Sequence, residues 1–413
     1  MFRYSCLKDL KEIEGISHFP LTLFLFGSKF PICGPGLLMP VCKEITYWLV
    51  QKLREPMQNI CLSLSAREAA MTRLIAIPTT TIALMLAAGV YCRSAKAQRT
   101  PLADVSAQDR VLLEEVHNLV SKLGPVLWQD WKDFPPFLIR RGGQEYLIGH
   151  PQPSEDFHPS SSEILHERVW VRVGKDTSDI QASYPLNGVM TAMMSAPTAN
   201  ENEYVWVLKA AHEAFHCYQG RSPVPEPFVG KFAGYNDLTF PFPYDNKTLM
   251  AALRLEAEIV FRLTSASSDD KESLAVQSRL LPLAWRVENA LYSDPEFQNY
   301  KLHTEWSEGT ARYTERELAR LAATSGRYEP TPSFVQMFPA SNYSTVWREE
   351  YGDMRMLNPI RFVGEGVRGR VMFYFLGMGK AYALDHMNPQ WRASYRNASL
   401  DDLLQQASTV LSQ

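Results

Sequence analysis

Apolar residues recur along the chain at two spacings, and each spacing predicts a different kind of element. Just after residue 110 they recur every three or four positions, as on one face of a helix. These residues are Leu112, Leu113, Val116, Leu119, Val120 and Leu123. Gly124-Pro125 follows directly and predicts the end of that helix.

Short stretches with strand character follow this helix. Residues 136–140 and 145–149 flank the turn sequence RGGQ, which predicts a β-hairpin. Residues 169–173 and 182–195 predict further strands. A small β-sheet is therefore expected in this part of the chain.

A long helix is predicted next, from Glu201 to Tyr218, because this stretch contains neither proline nor glycine. Gly220 and Pro223 mark its expected end. Its apolar residues cover most of the helix surface, which predicts a helix buried in a large domain.

The order of the remaining patterns predicts an α+β fold. Residues 219–246 are rich in proline, glycine and aromatic residues and are expected to form loops, whereas helical patterns fill most of 247–325 and 363–411. We therefore expect a small N-terminal β-sheet lobe with the long helix (residues 98–220), followed by a mainly helical lobe (residues 247–413).

Residues 71–97 have the layout of a secretory signal peptide. Met71-Thr72-Arg73 provides a basic start, an apolar run extends to Tyr91, and Ala95-Lys96-Ala97 provides a cleavage site. The mature protein is therefore expected to be secreted or periplasmic, without stable membrane insertion. The alternative is an uncleaved segment, residues 74–92, that anchors the protein to the membrane.

A signal peptide works at a nascent N-terminus, and this one follows seventy other residues. We therefore expect translation to start at Met71 and residues 1–70 to be a mis-assigned upstream extension that is not folded. Five of the six cysteines precede residue 98, and only Cys217 follows it. The mature chain can therefore form no internal disulfide, and a large core must stabilise it.

The charge of the chain argues against nucleic acid as a partner. Residues 1–97 carry 11 of the 42 basic and 6 of the 45 acidic residues, which leaves 31 basic and 39 acidic residues and a net charge of −8. A chain of this charge, without a basic patch or nucleic-acid motif, is not expected to bind the phosphate backbone.

The sequence HEAFH, from His212 to His216, combines the elements of a zinc site and a general base. On a helix, residues four apart lie on the same face, so both imidazoles can bind one metal ion. Glu213 is rotated off that axis, where it can deprotonate a metal-bound water. Zn²⁺ is therefore the expected cofactor, with His212 and His216 as ligands.

A catalytic zinc site of this kind needs a third protein ligand. Glu308 is the leading candidate, because Gly309 and Ala311 beside it would let its helix pack closely against the helix of the two histidines. The alternative is Glu256, an acidic residue in an otherwise apolar segment. A buried carboxylate there must be paired, as a ligand, as a partner of a ligand histidine, or with an arginine.

Three sequence blocks together resemble the gluzincin metallopeptidases, in which a glutamate on a later helix completes the HExxH site. The blocks are HEAFHCYQ (212–219), LRLEAEIV (253–260) and EWSEGTARYTE (305–315). In the aminopeptidase branch the ligand begins an N-E-G-x-A-x-Y-x-E segment, which residues 307–315 match except for Ser307. The resemblance implies His212, His216 and Glu308 as ligands and Glu213 as the base.

The spacing departs from the familiar gluzincins. Roughly ninety residues separate His216 from Glu308, against about twenty in the thermolysin-like and aminopeptidase-N-like enzymes. With residues 377–385 and 389–392, the three blocks are more similar to a family of uncharacterised bacterial secreted proteins with a gluzincin-type core, over residues 135–395.

These observations predict a secreted zinc metallopeptidase that acts on a peptide or protein substrate. An oxyanion stabiliser is also needed, and the candidates are Tyr313, Tyr374, Arg312 and His303. Two alternatives stay open: a catalytically inactive zinc-binding protein of the periplasm or cell surface, and a structural envelope protein with an accidental HExxH. The intact Glu213 argues against the first, and the glutamate-glycine block at Glu308 against the second.

Overall fold

The computed structural model describes residues 104–174, 179–221, 240–353 and 369–411. These residues belong to one compact unit, Gln98–Gln413. The predicted upstream extension, signal peptide and alternative membrane anchor all lie outside the described residues. Within the described residues, no helix combines the length and the apolar character that a membrane span requires.

The first helix is longer than its sequence pattern predicts. Helix α1 (Ala107–Leu127) is capped by Ser106, whose hydroxyl accepts the Asp109 N–H at 3.0 Å. It continues through Gly124-Pro125, so the predicted end there is wrong. Proline removes one hydrogen bond in the last turn, but Leu127 and Trp128 are buried in the core and hold that turn in place.

Six strands of the described chain form one sheet in the order β3-β4-β2-β1-β6-β5. Their bounds are β1 Phe137–Arg141, β2 Gln144–Ile148, β3 His158–Ile164, β4 Glu167–Val173, β5 Gln181–Leu186 and β6 Val189–Ser195. The predicted hairpin is confirmed as β1–β2, and β1 also pairs in parallel with β6. Strand β3 was not predicted, because its sequence HPSSSEI has no alternation of apolar and polar residues.

Helix α2 (Glu203–Gly220) carries the two histidines and is almost wholly buried. It begins two residues later than predicted because the Asn202 side chain caps it, accepting the N–H groups of Tyr204 and Val205. The helix packs against β5 and β6 of the sheet and against α1. These contacts fix the direction in which the helix face with the two histidines points.

The rest of the described chain is mainly helical, which confirms the α+β plan. The helices are α3 Lys247–Ser265, α4 Lys271–Ser278, α5 Leu281–Leu291, α6 Pro295–Thr304, α7 Thr310–Thr324, α8 Pro332–Met337, α9 Tyr343–Val346, α10 Val371–Met387 and α11 Leu400–Leu411. One hydrophobic cluster includes residues from α1, the sheet and the helices up to α11. The sheet and the helices therefore share a core.

A π-helical turn, Glu305–Gly309, connects α6 to α7. It lies against α10 with backbone on backbone: a Cβ atom on Gly309 would lie 2.5 Å from the Gly377 Cα, and one on Gly377 would lie 2.4 Å from the Glu305 carbonyl oxygen. Gly309 itself packs against α10, whereas α7, which begins at the next residue, packs against the histidine helix α2 as predicted.

Candidate metal centre

His212 and His216 lie one turn apart on α2 and point their Nε2 atoms at one place. The two Nε2 atoms are 3.1 Å apart. Both side chains are held inside the protein, His212 more deeply than His216. The predicted pairing of the two imidazoles on one helix face is confirmed.

Glu308, on the π-turn, brings the third ligand atom. Its Oε2 lies 3.3 Å from His216 Nε2 and 3.6 Å from His212 Nε2. Within the described part of the chain these three residues form the one group whose ligand atoms are close enough to share a metal ion. The two histidines and the glutamate predicted as ligands are therefore brought together.

The spacing of the three atoms suits a small four-coordinate ion. Ligand atoms on a tetrahedron with bonds of about 2.0–2.1 Å are roughly 3.3–3.4 Å apart, and the observed separations of 3.1, 3.3 and 3.6 Å bracket that distance. Two imidazole nitrogens and one carboxylate oxygen are a donor set that zinc binds readily. The residues present therefore fit a zinc ion.

The far side of the His212 ring is held by a buried carboxylate. His212 Nδ1 lies 3.0 Å from Glu315 Oε2. Arg312 donates to both oxygens of Glu315 at 2.7 Å, and the Tyr351 hydroxyl donates to Oε1 at 2.6 Å. Burial alone would raise the pKa of Glu315, but Arg312 and His212 outweigh it and lower the pKa to about 2. An ionised Glu315 accepts a hydrogen bond from the Nδ1–H group of His212. This hydrogen bond keeps the ring proton on Nδ1 and leaves Nε2 free to bind a metal.

An amide holds the second histidine. His216 Nδ1 donates to Gln219 Oε1 at 2.6 Å. The orientation of this amide is fixed because its Nε2 donates to the Ser307 carbonyl at 2.9 Å and to the Tyr395 hydroxyl at 2.6 Å. His216 Nε2 therefore also has its lone pair directed at the ligand group.

Contacts among the candidate ligands shift the pKa values of His212 and Glu308. Burial acts to lower the pKa of His212, but hydrogen bonds to Glu308 and Glu315 outweigh it and raise that pKa to about 9. Burial would likewise raise the pKa of Glu308, yet its interactions with His216 and His212 hold it well below its usual range. Both shifts favour an ion pair between the imidazole and the carboxylate, and a bound cation would take the place of the imidazole proton.

Glu213 lies beside the ligand histidines, with 4% of its surface exposed. Ser183 of strand β5 contacts it twice: its hydroxyl lies 2.9 Å from Glu213 Oε2 and 2.7 Å from the Glu213 carbonyl oxygen. The sequence offers no signal for this contact, since Ser183 is thirty residues away on a polar strand.

Two residues of the α10 region approach Glu308. Tyr374, predicted as an oxyanion stabiliser, has a pKa raised by burial and by the Glu308 carboxylate, with which its hydroxyl interacts. Arg370, immediately before α10, places its guanidinium 3.4 Å from Glu308 Oε1 and 5.4 Å from the centre of the Tyr374 ring. Arg370 was not predicted, although its position four residues before Tyr374 puts both on one helix face.

The alternative ligand, Glu256, does not reach the metal centre. Its oxygens contact Lys301 Nζ at 2.6 Å and Lys380 Nζ at 2.7 Å, and its side chain has no exposed surface. The prediction of a buried and paired carboxylate is confirmed, but its partners are lysines and not a metal or an arginine. The pair belongs to a buried charge cluster, which we define as Glu256, Glu288, Lys301, Glu305, Lys380 and Asp401.

Two of the other predicted oxyanion stabilisers, Tyr313 and Arg312, pair with carboxylates that are not among the three candidate ligands. The Tyr313 hydroxyl donates to Asp385 Oδ2 at 2.8 Å and accepts from Arg392. Arg312 binds Glu315, and His303 lies on α6 with its ring 6.3 Å from that of Trp306. These contacts give no support to a catalytic role for the three residues, and the role predicted for Tyr313 stays a prediction.

The centre thus contains a histidine-histidine-glutamate group that could hold a metal ion, a buried carboxylate beside it, and a tyrosine and an arginine at the third ligand. Comparison with protein-family models, with curated proteins and with solved structures finds no match to this chain.

Proposed function

We propose that this protein is a zinc metallopeptidase, which hydrolyses peptide bonds in a peptide or protein substrate. The observation that carries the proposal is the convergence of His212, His216 and Glu308 beside Glu213. The similarity of residues 307–315 to the gluzincin segment supports the same reading. The signal-like sequence of residues 71–97 supports action outside the cytoplasm.

His212, His216 and Glu308 would hold the zinc ion. When bound, zinc lowers the pKa of water and polarises a carbonyl group as a Lewis acid. Glu213 follows the first ligand on the helix, so its carboxylate can accept a proton from the attacking water and deliver it to the leaving amine. Ser183 restrains that carboxylate by donating to Oε2.

Tyr374 is the best placed of the predicted oxyanion stabilisers. Burial and the nearby Glu308 raise its pKa, so its hydroxyl keeps its proton at neutral pH. A protonated phenol can donate a hydrogen bond to a carbonyl oxygen on which negative charge develops. Tyr374 would therefore bind the reacting carbonyl.

The edge of the sheet offers a place for an extended peptide. In the described part of the chain, β5 pairs with β6 along one side and with no strand along the other. An extended substrate can add to such an edge through backbone hydrogen bonds. Because Ser183 of β5 contacts Glu213, a peptide on this edge would pass close to the base.

The proposal is tested with the Glu213→Gln variant, which keeps the size of the side chain but removes its basicity. Zinc should stay at one ion per chain, measured by elemental analysis, while hydrolysis of a casein or peptide-library substrate falls by about 10²–10⁴-fold. The His212→Ala variant should lose the metal together with the activity.

Three results decide the matter. Full activity in Glu213→Gln would exclude the proposed role of that residue. A wild-type protein that holds zinc but cleaves no peptide would favour the inactive zinc-binding alternative. If the wild-type protein binds no divalent metal, the proposal that it holds a zinc ion is wrong.

A further inference from the structure

Arg370 differs from the other arginines that pair with buried or half-buried carboxylates in this protein. Its contact with Glu308 Oε1 is 3.4 Å long and involves one nitrogen. By comparison, Arg141 lies 2.6 Å from Asp109, and Arg312 lies 2.7 Å from Glu315. Arg370 is therefore only loosely bound to its carboxylate partner.

The guanidinium of Arg370 is nonetheless held in position. Its carbon lies 5.4 Å from the centre of the Tyr374 ring, and the side chain is 25% exposed. A guanidinium has five N–H donors, and in the described part of the chain the contact with Glu308 is its one hydrogen bond to a side chain. The side chain is thus partly exposed beside Glu308.

Two carboxylates contribute negative charge to the centre. Glu308 and Glu213 both present carboxylates at the centre. A bound zinc ion would offset the charge of its ligand Glu308, whereas Glu213 is not a ligand and would still repel a negatively charged group of a substrate. The planar fork of a guanidinium binds a carboxylate through two parallel hydrogen bonds, which a lysine cannot do.

We propose that Arg370 binds a carboxylate of the substrate next to the scissile bond and so selects peptides that carry one there. The inference rests on the proposed peptidase function. Such a carboxylate has two sources: the free C-terminus of a peptide, which would make the enzyme a carboxypeptidase, or an acidic side chain beside the cleaved bond.

The experiment compares three forms of one N-acetylated peptide that has an asparagine next to the cleaved bond. The first form has a free C-terminal carboxylate and the second has a C-terminal amide. The third has the C-terminal amide and an aspartate in place of the asparagine. Zinc-loaded wild type should cleave at least one carboxylate-bearing form with a kcat/KM roughly 10- to 100-fold above that of the plain amide. The form that is preferred identifies the source of the carboxylate.

The Arg370→Gln variant should lose this preference: kcat/KM for the carboxylate-bearing peptide should fall about 10- to 100-fold further than kcat/KM for the plain amide. Arg262→Gln is the matched control, since Arg262 pairs with Glu258 on the surface of α3. Equal loss for all three peptides in Arg370→Gln would mean that Arg370 only positions Glu308, and equal cleavage of all three by the wild type would likewise overturn the inference.

A binding measurement separates this inference from the proposed function. Zinc-loaded Glu213→Gln protein should bind the preferred carboxylate peptide about tenfold more tightly than the amide, as measured by calorimetry, and the added Arg370→Gln change should remove the difference. If the wild type cleaves nothing but this discrimination is present, the peptidase proposal fails and the carboxylate site stands. If binding does not discriminate, the carboxylate site is rejected.

Discussion

The Ser183 hydroxyl lies within hydrogen-bond distance of two oxygens of one residue, the Oε2 atom and the backbone carbonyl of Glu213. A hydroxyl has one proton, so it can donate to only one of the two at a time. While Glu213 is ionised, donation to the carboxylate is the stronger bond. Ser183 therefore ties the carboxylate of α2 to the edge strand β5 and restricts its rotation.

We expect Ser183→Ala to lower kcat about tenfold, because the loss of one hydrogen bond to a charged group corresponds to about 1.5–3 kcal/mol at most. KM and the zinc content should change little, since neither a ligand nor a substrate contact is removed. Steady-state kinetics and elemental analysis check this. Ser183→Thr keeps the hydroxyl and should recover most of the activity.

Ser160 is the control for that change. It lies on the opposite edge strand, β3, and its hydroxyl donates a hydrogen bond to Asp104. Ser160→Ala should leave kcat unchanged. An equal fall in kcat for both serine variants would show that the effect is not specific to Glu213.

The carboxylate behind His212 should control metal affinity. Glu315→Gln removes the negative charge of the carboxylate that accepts a hydrogen bond from His212 Nδ1 and pairs with Arg312. Loss of such a partner typically weakens metal binding by about 10–100-fold, and a competition titration with a chelator measures it. Glu317→Gln is the matched control, because Glu317 is similarly buried on α7 but bonds Arg320 and Tyr382. Equal weakening in both variants would contradict the assignment.

The position of Glu308 should depend on the contact between Gly309 and Gly377. An added Cβ on Gly309 would lie 2.5 Å from a backbone atom of α10, which cannot move aside as a side chain can. Gly309→Ala is expected to lower the free energy of unfolding by about 1–3 kcal/mol and to weaken zinc binding, both measurable by denaturant titration with and without metal. Gly220→Ala, whose Cβ would lie nearest to the flexible Met190 side chain, at 3.1 Å, should be milder.

The buried charge cluster should make the protein less stable as the pH rises. The cluster contains four carboxylates and two lysines. Burial is the largest effect that raises the pKa of Glu288, to about 8, and that of Glu305, to about 7, and neighbouring carboxylates also raise both. A carboxyl with a raised pKa keeps its proton in the folded protein after the unfolded chain has lost it near pH 4.5. Its contribution to stability is therefore full below that pH and is lost as the pH rises toward 7–8.

Each such group changes the free energy of unfolding by at most about 1.4 kcal/mol per pH unit. Urea titrations at pH 5.5 and pH 8 should show this decline for the wild type. Glu288→Gln, which cannot ionise, should show a smaller decline, whereas Glu258→Gln on the surface of α3 should match the wild type. An identical pH dependence in all three proteins would show that Glu288 is ionised throughout.

The sequence by itself determined the local elements of the centre. The four-residue spacing of His212 and His216 in a stretch without proline or glycine is enough to place both imidazoles on one helix face. The hairpin β1–β2 likewise follows from two short strand patterns around a glycine turn whose residues Gly142 and Gly143 have φ of +57° and +78°. These features depend on neighbours in the chain, so a local pattern contains the information.

Only the tertiary structure decided which carboxylate joins the histidines. Glu256 and Glu308 both lie in helical segments, yet packing places Glu256 between two buried lysines and Glu308 beside the imidazoles. The same holds for Ser183 and Arg370, whose roles arise from contacts with residues thirty and sixty-two positions away. The physical reason is that such contacts are set by how the sheet, α2, the π-turn and α10 pack on their common core, and no short-range pattern encodes that packing.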